Sequence, residues 1–427
     1  MKIYDFQDTT KTKFLCAKNA MHFYAPKITR KALLFCDTEN FQFSCVYDFR
    51  VHSTNSKLVE FRCFHNQMGF EQILKKYGCV IDKELNNFFD RKIKETKDHF
   101  LKTSYNYLKE FVLRPGKRIR PIAAIMAYKA IKEGNEEHIY PVSIAPELFH
   151  ASSLIHDDIM DEDMLRRNKK TMHRIVEDYF KKNFRDKKYN GSIFESYSKR
   201  FAVSMGIIQG NLLYSLSFSS ILDSRLDDKM KSLSLSILNE GYCKTNEGQI
   251  FDLVMAANEK ADEKNYIDMA IGKTASPLSA AILFGAALNN ATHFQIEQLE
   301  KYSLLVGLAF QVQDDIIDIS EGMNKGRAIG SDLKRGNKTL MVMKALQEGD
   351  ERQRKLILNI LGSDRAANSQ VTKAIKAIEK TNSLKYASDY ANNRANEAKK
   401  YLKKAKLTME GHEFFSNFAD YVVRRET

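Results

Sequence analysis

The stretch Leu154-Ile155-His156-Asp157-Asp158-Ile159-Met160-Asp161 decides how this chain reads, with a second of the same design, Phe310-Gln311-Val312-Gln313-Asp314-Asp315-Ile316-Ile317-Asp318. Each is a D-D-x-x-D set inside an apolar, helix-compatible run. Residues four apart share a helix face, so Asp157 and Asp161 are expected to point one way with Asp158 beside them. The same spacing groups Asp314, Asp318 and Asp315. Apolar neighbours on both sides imply partial burial, and buried carboxylates are costly unless compensated. Six of them brought together need cations. Magnesium suits the task, because it takes a few carboxylate oxygens and leaves its other positions to water and substrate phosphates. Two facing clusters therefore read as a clamp for a diphosphate.

Working outward, basic residues stand beside both clusters. Upstream lies Arg114-Pro115-Gly116-Lys117-Arg118-Ile119-Arg120-Pro121, a turn and helix start with three cations in four positions. Directly after the first cluster comes Leu165-Arg166-Arg167-Asn168-Lys169-Lys170, and Lys273-Thr274 and Lys338-Thr339 follow. Single basic pairs are ordinary surface charge. Basic sets next to both acidic clusters are better explained by two phosphorylated substrates, one held through metal and one directly.

These blocks carry a family resemblance. The chain resembles the trans-isoprenyl (polyprenyl) diphosphate synthases, including geranylgeranyl diphosphate synthases of archaeal type, over roughly residues 68–427. The matching blocks are G-K-R-x-R-P at Gly116 to Pro121, Phe149-His150 through Asp161, and the pair Arg166-Arg167. Gly248-Gln249 with Asp252, Lys273-Thr274-Ala275, Phe310 to Asp318, and Gly330 to Leu340 complete the set. The resemblance implies that Lys117, Arg120, His150 and Arg167 bind isopentenyl diphosphate. It implies that Arg166, Lys273, Thr274, Gln311 and Lys338 bind the allylic diphosphate, over magnesium held by Asp157, Asp161 and Asp314. Asp158, Asp315, Asp318 and Lys273 complete the implied catalytic set, and a homodimer joined by the helices between the clusters is expected. Several positions depart from the family pattern. Asn168 and Lys170 stand where Gly and Pro are usual, Asn211 replaces an aspartate, and Met341-Val342-Met343 follows the final Thr-Leu.

Chain length has a steric reading. Ser152, five residues before Asp157, is small where C15 producers carry Tyr or Phe, which leaves a tunnel open. Phe149, one turn further along that face, would close it at C20, or C25. Two alternatives stay open. A terpene cyclase shares the ionisation chemistry but needs one diphosphate, and a noncatalytic subunit of a heteromeric synthase usually loses an aspartate cluster.

Apolar spacing is helical over 144–160, 201–222, 304–319 and 387–402, with no sustained period-two alternation after residue 68. One large all-α bundle is the expected fold. The chain has 427 residues, 43% apolar and 28% charged, with no Trp and six Pro, a composition that fits a globular enzyme. Residues 1–67 differ. They hold four of the six cysteines (Cys16, Cys36, Cys45, Cys63) in no metal-binding spacing and read as short strands, best at 41–47. They are expected to be an extension of the catalytic domain 68–427. Free thiols imply a reducing, cytoplasmic setting. Net charge is +13, of which ten basic and six acidic residues in 1–67 give +4. No nucleic-acid motif accompanies that charge. The basic run 180–188 reads as a solvated loop, peripheral membrane contact is the most the lipid product would need, and no segment reaches membrane-spanning length.

Overall fold

A computed structural model describes residues 51–52, 58–59, 69–258, 261–320, 329–363 and 365–425. The chain divides into two units, Met1–Gly69 and Phe70–Thr427. In the first, the described residues are one antiparallel pair, β1 (Val51–His52) with β2 (Leu58–Val59). The expected strand at 41–47 and the four N-terminal cysteines lie outside the described residues.

The second unit is all-α. Its helices are α1 (Phe70–Glu95), α2 (His99–Val112), α3 (Ile119–Ile131), α4 (Tyr140–Ser143), α5 (Ala145–Met160), α6 (Met172–Asn183), α7 (Tyr197–Leu222) and α8 (Asp228–Ala257). Then follow α9 (Glu263–Ala270), a π-helical turn at Ile271–Ala275, α10 (Ser276–Leu288), α11 (His293–Ile319), α12 (Ser331–Arg335), α13 (Leu340–Glu348), α14 (Glu351–Leu358), α15 (Asn368–Glu379), α16 (Ser383–Lys404) and α17 (Met409–Arg424). A two-stranded ribbon, β3 (Leu165–Arg166) with β4 (Lys169–Lys170), follows α5. The four sequence-predicted helical segments fall inside α5, α7, α11 and α16, except that Ile144 is the N-cap of α5.

Local chemistry sets these boundaries. Thr292 and Gln295 form a reciprocal capping box that starts α11, satisfying two donors the first turn leaves open. From there α11 runs unbroken to Ile319 and delivers the second aspartate cluster in its last turns. Helix α10 is the hub, with eleven of its thirteen residues buried, and it packs on α3, α8 and α11. Each large apolar side chain removed from water in this way contributes about 1.5–3 kcal/mol. Helix α16 presents the buried stripe Ala387, Ala391, Ala395, Ala398 and Leu402. Small residues at that helical spacing let it lie closely along α11. Helix α5 packs along α7, where the Ser217 hydroxyl donates to the Ala145 carbonyl at 2.8 Å.

One expectation is corrected. By length and hydropathy, Tyr197–Leu222 and Glu263–Leu288 are each long and apolar enough to cross a membrane, at 26 residues apiece. The expectation that no segment reaches membrane-spanning length thus fails for both runs. In Glu263–Leu288, 67% of the most apolar 18-residue window is buried within the bundle, so its apolarity is accounted for by packing.

Candidate active site

The ends of α5, α8 and α11, the π-helical turn and α12 enclose a cleft of about 310 Å³. Its walls carry Asp157, Asp161, Arg166, Asp252, Tyr266, Lys273, Gln311, Asp314, Asp315, Arg335 and Lys338. The two clusters thus meet across one space, as the sequence predicts, but not all six carboxylates line it. Asp158 is fully buried and receives the Arg166 Nε. Asp318 turns away to α12, accepting from Ser331 Oγ at 2.6 Å and from the Asp332 amide at 3.0 Å. Four residues of helix turn about 400° rather than a full 360°, and that offset, with donors waiting at the start of α12, takes Asp318 off the shared face. Asp315 lies deeper in the cleft wall, where the Tyr266 hydroxyl (2.7 Å) and Gln311 Nε2 (2.8 Å) hold its two oxygens. Gln311 in turn accepts from Thr274 Oγ1. Asp315 orients its neighbours through this chain of bonds.

Lys273 reaches the cleft, with Thr274 bonded to Gln311 of its wall, where the backbone widens into a π-helical turn at Ile271–Ala275, an irregularity frequent at functional sites. Close approach of α8 makes the geometry possible. A Cβ on Gly248 would stand 2.1 Å from the Lys273 amide nitrogen, so only glycine fits there. Lys273 Nζ bridges Asp252 (2.7 Å) and Asp157 (3.3 Å), and these carboxylates drive its pKa upward against the opposing effect of burial.

Cations from distant parts of the chain also sit on the clusters. Arg166 Nη2 is 3.2 Å from Asp157. Arg335 donates to Asp161 at 2.8 Å and to Asp163. Arg425 donates to Asp314 at 2.9 Å while its guanidinium lies over the Phe310 ring, 3.7 Å from the centroid. The sequence reading gave no role to Asp252, Arg335 or Arg425. Asp252 had a signal, standing inside a recognised block. Arg335 occupies a variable position of the last block, and Arg425 belongs to no motif.

Burial pushes Asp158 up to about 6 although Arg166 pulls it down, and burial followed by the Asp157 charge pushes Asp161 up to about 6. A site that raises carboxylate pKa values in this way is one that a cation would stabilise. Among the described residues no cluster of three or more His, Cys, Asp or Glu forms a ready-made cage. The donors that line the cleft are hard carboxylate oxygens on opposite walls. That set fits magnesium, which keeps several positions for water and phosphate, better than a metal needing an all-protein shell.

Beside this cleft lies a cationic corner. His150, Arg166 and Arg167 line a recess with Arg114, Arg118 and Glu147. Arg118 is structural. Its guanidinium binds Glu147 at 2.7 Å, Asp82 at 2.9 Å and the Arg114 carbonyl at 3.0 Å. Burial and then the neighbouring Arg167 lower Arg120 to about 10, and its Nε has no hydrogen-bond partner. Burial followed by Arg120 and Arg167 depresses His150, keeping the ring neutral. Cations that lower one another's pKa values are relieved by a bound anion. Arg167 and Asn168 both adopt positive φ, 53° and 59°, as the central pair of the β3–β4 hairpin. A two-residue turn with both φ positive matches the strand twist, and Asn tolerates that conformation, so this turn forms without the usual glycine. A Cβ on Gly116 would stand 2.7 Å from Arg167 Nη1, so the glycine of G-K-R-x-R-P makes room for that guanidinium. Lys117 is exposed beside a neighbouring cavity of about 470 Å³, with its Nζ 5.2 Å from the Tyr421 ring centroid.

Lys338 lines the cleft, where the sequence places it, and is held by backbone. Its Nζ donates to the carbonyls of Met255 (2.8 Å), Ala256 (3.1 Å) and Asn258 (2.9 Å), capping the C-terminus of α8 at the edge of the cleft. Phe149 and Ser152 are both buried in α5. The Phe149 ring meets Tyr242 of α8 edge-on at 5.1 Å, and Tyr242 stacks on Tyr214 of α7 at 3.9 Å.

Known proteins resemble this chain in sequence and fold. The profile of the polyprenyl synthetase family matches residues 101–378. The short chain isoprenyl diphosphate synthase of Methanocaldococcus jannaschii is 32% identical over 320 residues, covering 74% of this chain and 88% of its own length. The crystal structure of geranylgeranyl pyrophosphate synthetase from Pyrococcus horikoshii superposes with a TM-score of 0.69 at 27% identity, over 84% of this chain and 98% of that one. A geranylgeranyl pyrophosphate synthase from Corynebacterium glutamicum, complexed with isoprenyl diphosphate and magnesium, gives 0.75 at 21% identity over 84% and 100%, a likeness of fold. With its facing aspartate clusters inside one all-α bundle, this chain belongs to the polyprenyl synthetase family and is an enzyme of the prenyltransferase class.

Proposed function

We propose that the chain condenses isopentenyl diphosphate head-to-tail with an allylic diphosphate, in the presence of magnesium, to give a trans-polyprenyl diphosphate of C20 to C25. The observation that carries this reading is the pair of adjacent anion sites. One is the cleft between the clusters, lined by Asp157, Asp161, Asp314, Arg166 and Lys273. The other is the metal-independent corner of Arg120, Arg167 and His150. A terpene cyclase needs only the first.

Asp157, Asp161 and Asp314 would hold magnesium, which when bound supplies Lewis-acid stabilisation of the diphosphate oxygens. Arg166 and Lys273 add fixed positive charge where negative charge develops as the allylic C1–O bond breaks and pyrophosphate departs. Gln311 and Thr274 orient the same wall. Arg120, Arg167 and His150, with Lys117 at the rim, hold isopentenyl diphosphate by its own phosphates. The alkene electron pair of isopentenyl diphosphate forms the new carbon–carbon bond at C1, and the proton lost in restoring a double bond goes to the departed pyrophosphate. A guanidinium grips two phosphate oxygens at once, which orients the acceptor as well as binding it. Residues 68–427 form the catalytic domain in this reading, in the cytoplasm. Exposed apolar side chains on α7 (Ile207, Ile208) and α8 (Ile250, Phe251) support a homodimer through those helices.

The test is a product assay with labelled isopentenyl diphosphate and C5, C10, C15 or C20 primers. The reading requires magnesium-dependent elongation, abolished by chelation and by Asp157→Ala. No elongation with any primer would overturn it.

A further inference from the structure

Four basic residues line the cleft wall, and each has protein partners. Lys273 pairs with Asp157 and Asp252, and Arg166 with Asp157 and Asp158. Lys338, whose ammonium has three N–H donors, directs them to three carbonyls at the end of α8. Arg335 is placed differently. Helix α12 is bounded by two left-handed glycines, Gly330 (φ 72°) and Gly336 (φ 84°). Its first turn is fastened to the second cluster, with Ser331 Oγ and the Asp332 amide on the Asp318 carboxylate and the Gly330 amide on the Asp318 carbonyl at 2.8 Å. Its last residue, Arg335, reaches the first cluster at Asp161 and Asp163. One short helix therefore ties the two clusters together, and its guanidinium faces the cleft.

We propose that Arg335 is a further binding residue for the allylic diphosphate and for the pyrophosphate it releases, in the position that sequence resemblance gives to Lys338. This deepens the function proposed above and rests on it. When a divalent cation takes the Asp161 oxygens, Arg335 loses an anionic partner and keeps its place at the cleft wall, because α12 is fastened at Asp318. A guanidinium carries five donors in a planar fork that matches two oxygens of a phosphate. With a cation held at Asp161, the anions offered to Arg335 would be the oxygens of the bound diphosphate. Lys338 would have to abandon the α8 carbonyls to do the same work.

The test uses the full-length chain and inorganic pyrophosphate with magnesium, followed by calorimetry, beside KM values for both substrates. Arg335→Ala is expected to weaken magnesium pyrophosphate binding about 10- to 100-fold, the scale of one lost charge-assisted bond. It should raise KM for the allylic substrate and leave KM for isopentenyl diphosphate within about twofold, the margin of an uncharged contact. Arg335→Lys, which keeps charge and loses the fork, should fall between. Lys338→Ala should lower Tm and weaken pyrophosphate binding less than Arg335→Ala. Unchanged pyrophosphate affinity in a folded Arg335→Ala protein overturns the proposal, as does a change confined to isopentenyl diphosphate. So does a larger loss in Lys338→Ala. If the unsubstituted protein neither binds magnesium pyrophosphate nor elongates, the underlying function fails instead, and the two failures are distinct.

Discussion

Replacing Phe149 should lengthen the product, and the structure sets by how much. Helices α5 and α8 are bridged at two levels. The upper level is polar, Asp157 through Lys273 to Asp252, and the lower is aromatic, Phe149 on Tyr242 backed by Tyr214. Phe149 lies eight residues before Asp157 and Tyr242 ten before Asp252, which at 1.5 Å per residue separates the levels by about 12–15 Å. An isoprene unit is about one helical turn long, roughly 5.4 Å. A tail running between those levels would find close to three units of depth at the longer figure, so a C15 primer would reach the ring, be extended once to C20, and the C20 tail would be refused. Phe149→Ala removes the ring and adds about one turn of depth, moving the main product to C25. Tyr242→Ala alone should shift it less, because Tyr214 stands behind it at 3.9 Å, and the double variant should go beyond either. Loss of a buried phenylalanine costs about 3–5 kcal/mol, so products are to be compared at a temperature where each variant is folded. The assay is chromatographic sizing of labelled products from a C10 or C15 primer. If the folded Phe149→Ala variant still stops where the unsubstituted enzyme stops, the aromatic level is core packing and the floor lies elsewhere.

Three further outcomes follow from the same geometry. Gly248→Ala places a methyl 2.1 Å from the Lys273 amide, which forces α8 from the π-helical turn. It should cost about 1–3 kcal/mol and lower kcat more than it raises either KM, as steady-state kinetics with a parallel melt would show. Glu136 is held down at about 2 against a reference of 4.5, since bonds from Lys129, Tyr140 and Tyr77 outweigh the upward push of burial. Its contribution is present above the reference value and lost as pH falls toward 2, so acid titration should find the gap in stability between Glu136→Gln and the unsubstituted protein shrinking below pH 4.5. A chain begun at Met68 should keep its helical circular dichroism and its elongation activity, because the bundle starts at Phe70. Loss of either would assign residues 1–67 a part in the catalytic unit.

The sequence by itself determined the elements that depend on local spacing. Four-residue periodicity gave α5 and α11 and placed aspartates near the ends of both, and the ordered motif blocks pointed to prenyl transfer before any coordinates. The hairpin after Arg166 was not legible, because its left-handed turn is made by Arg167 and Asn168 in place of the family's glycine. Only the tertiary structure decided which carboxylates face the cleft. Asp158 and Asp318 share their clusters' spacing but are turned to Arg166 and to α12 by donors from other segments. It also decided the cations. Arg335 meets Asp161 across 174 residues of sequence, and Arg425 meets Asp314 across 111. Side-chain period is a property of one helix and is written in neighbouring residues. Pairing between helices depends on how their faces pack, and that is settled only when the whole core is assembled.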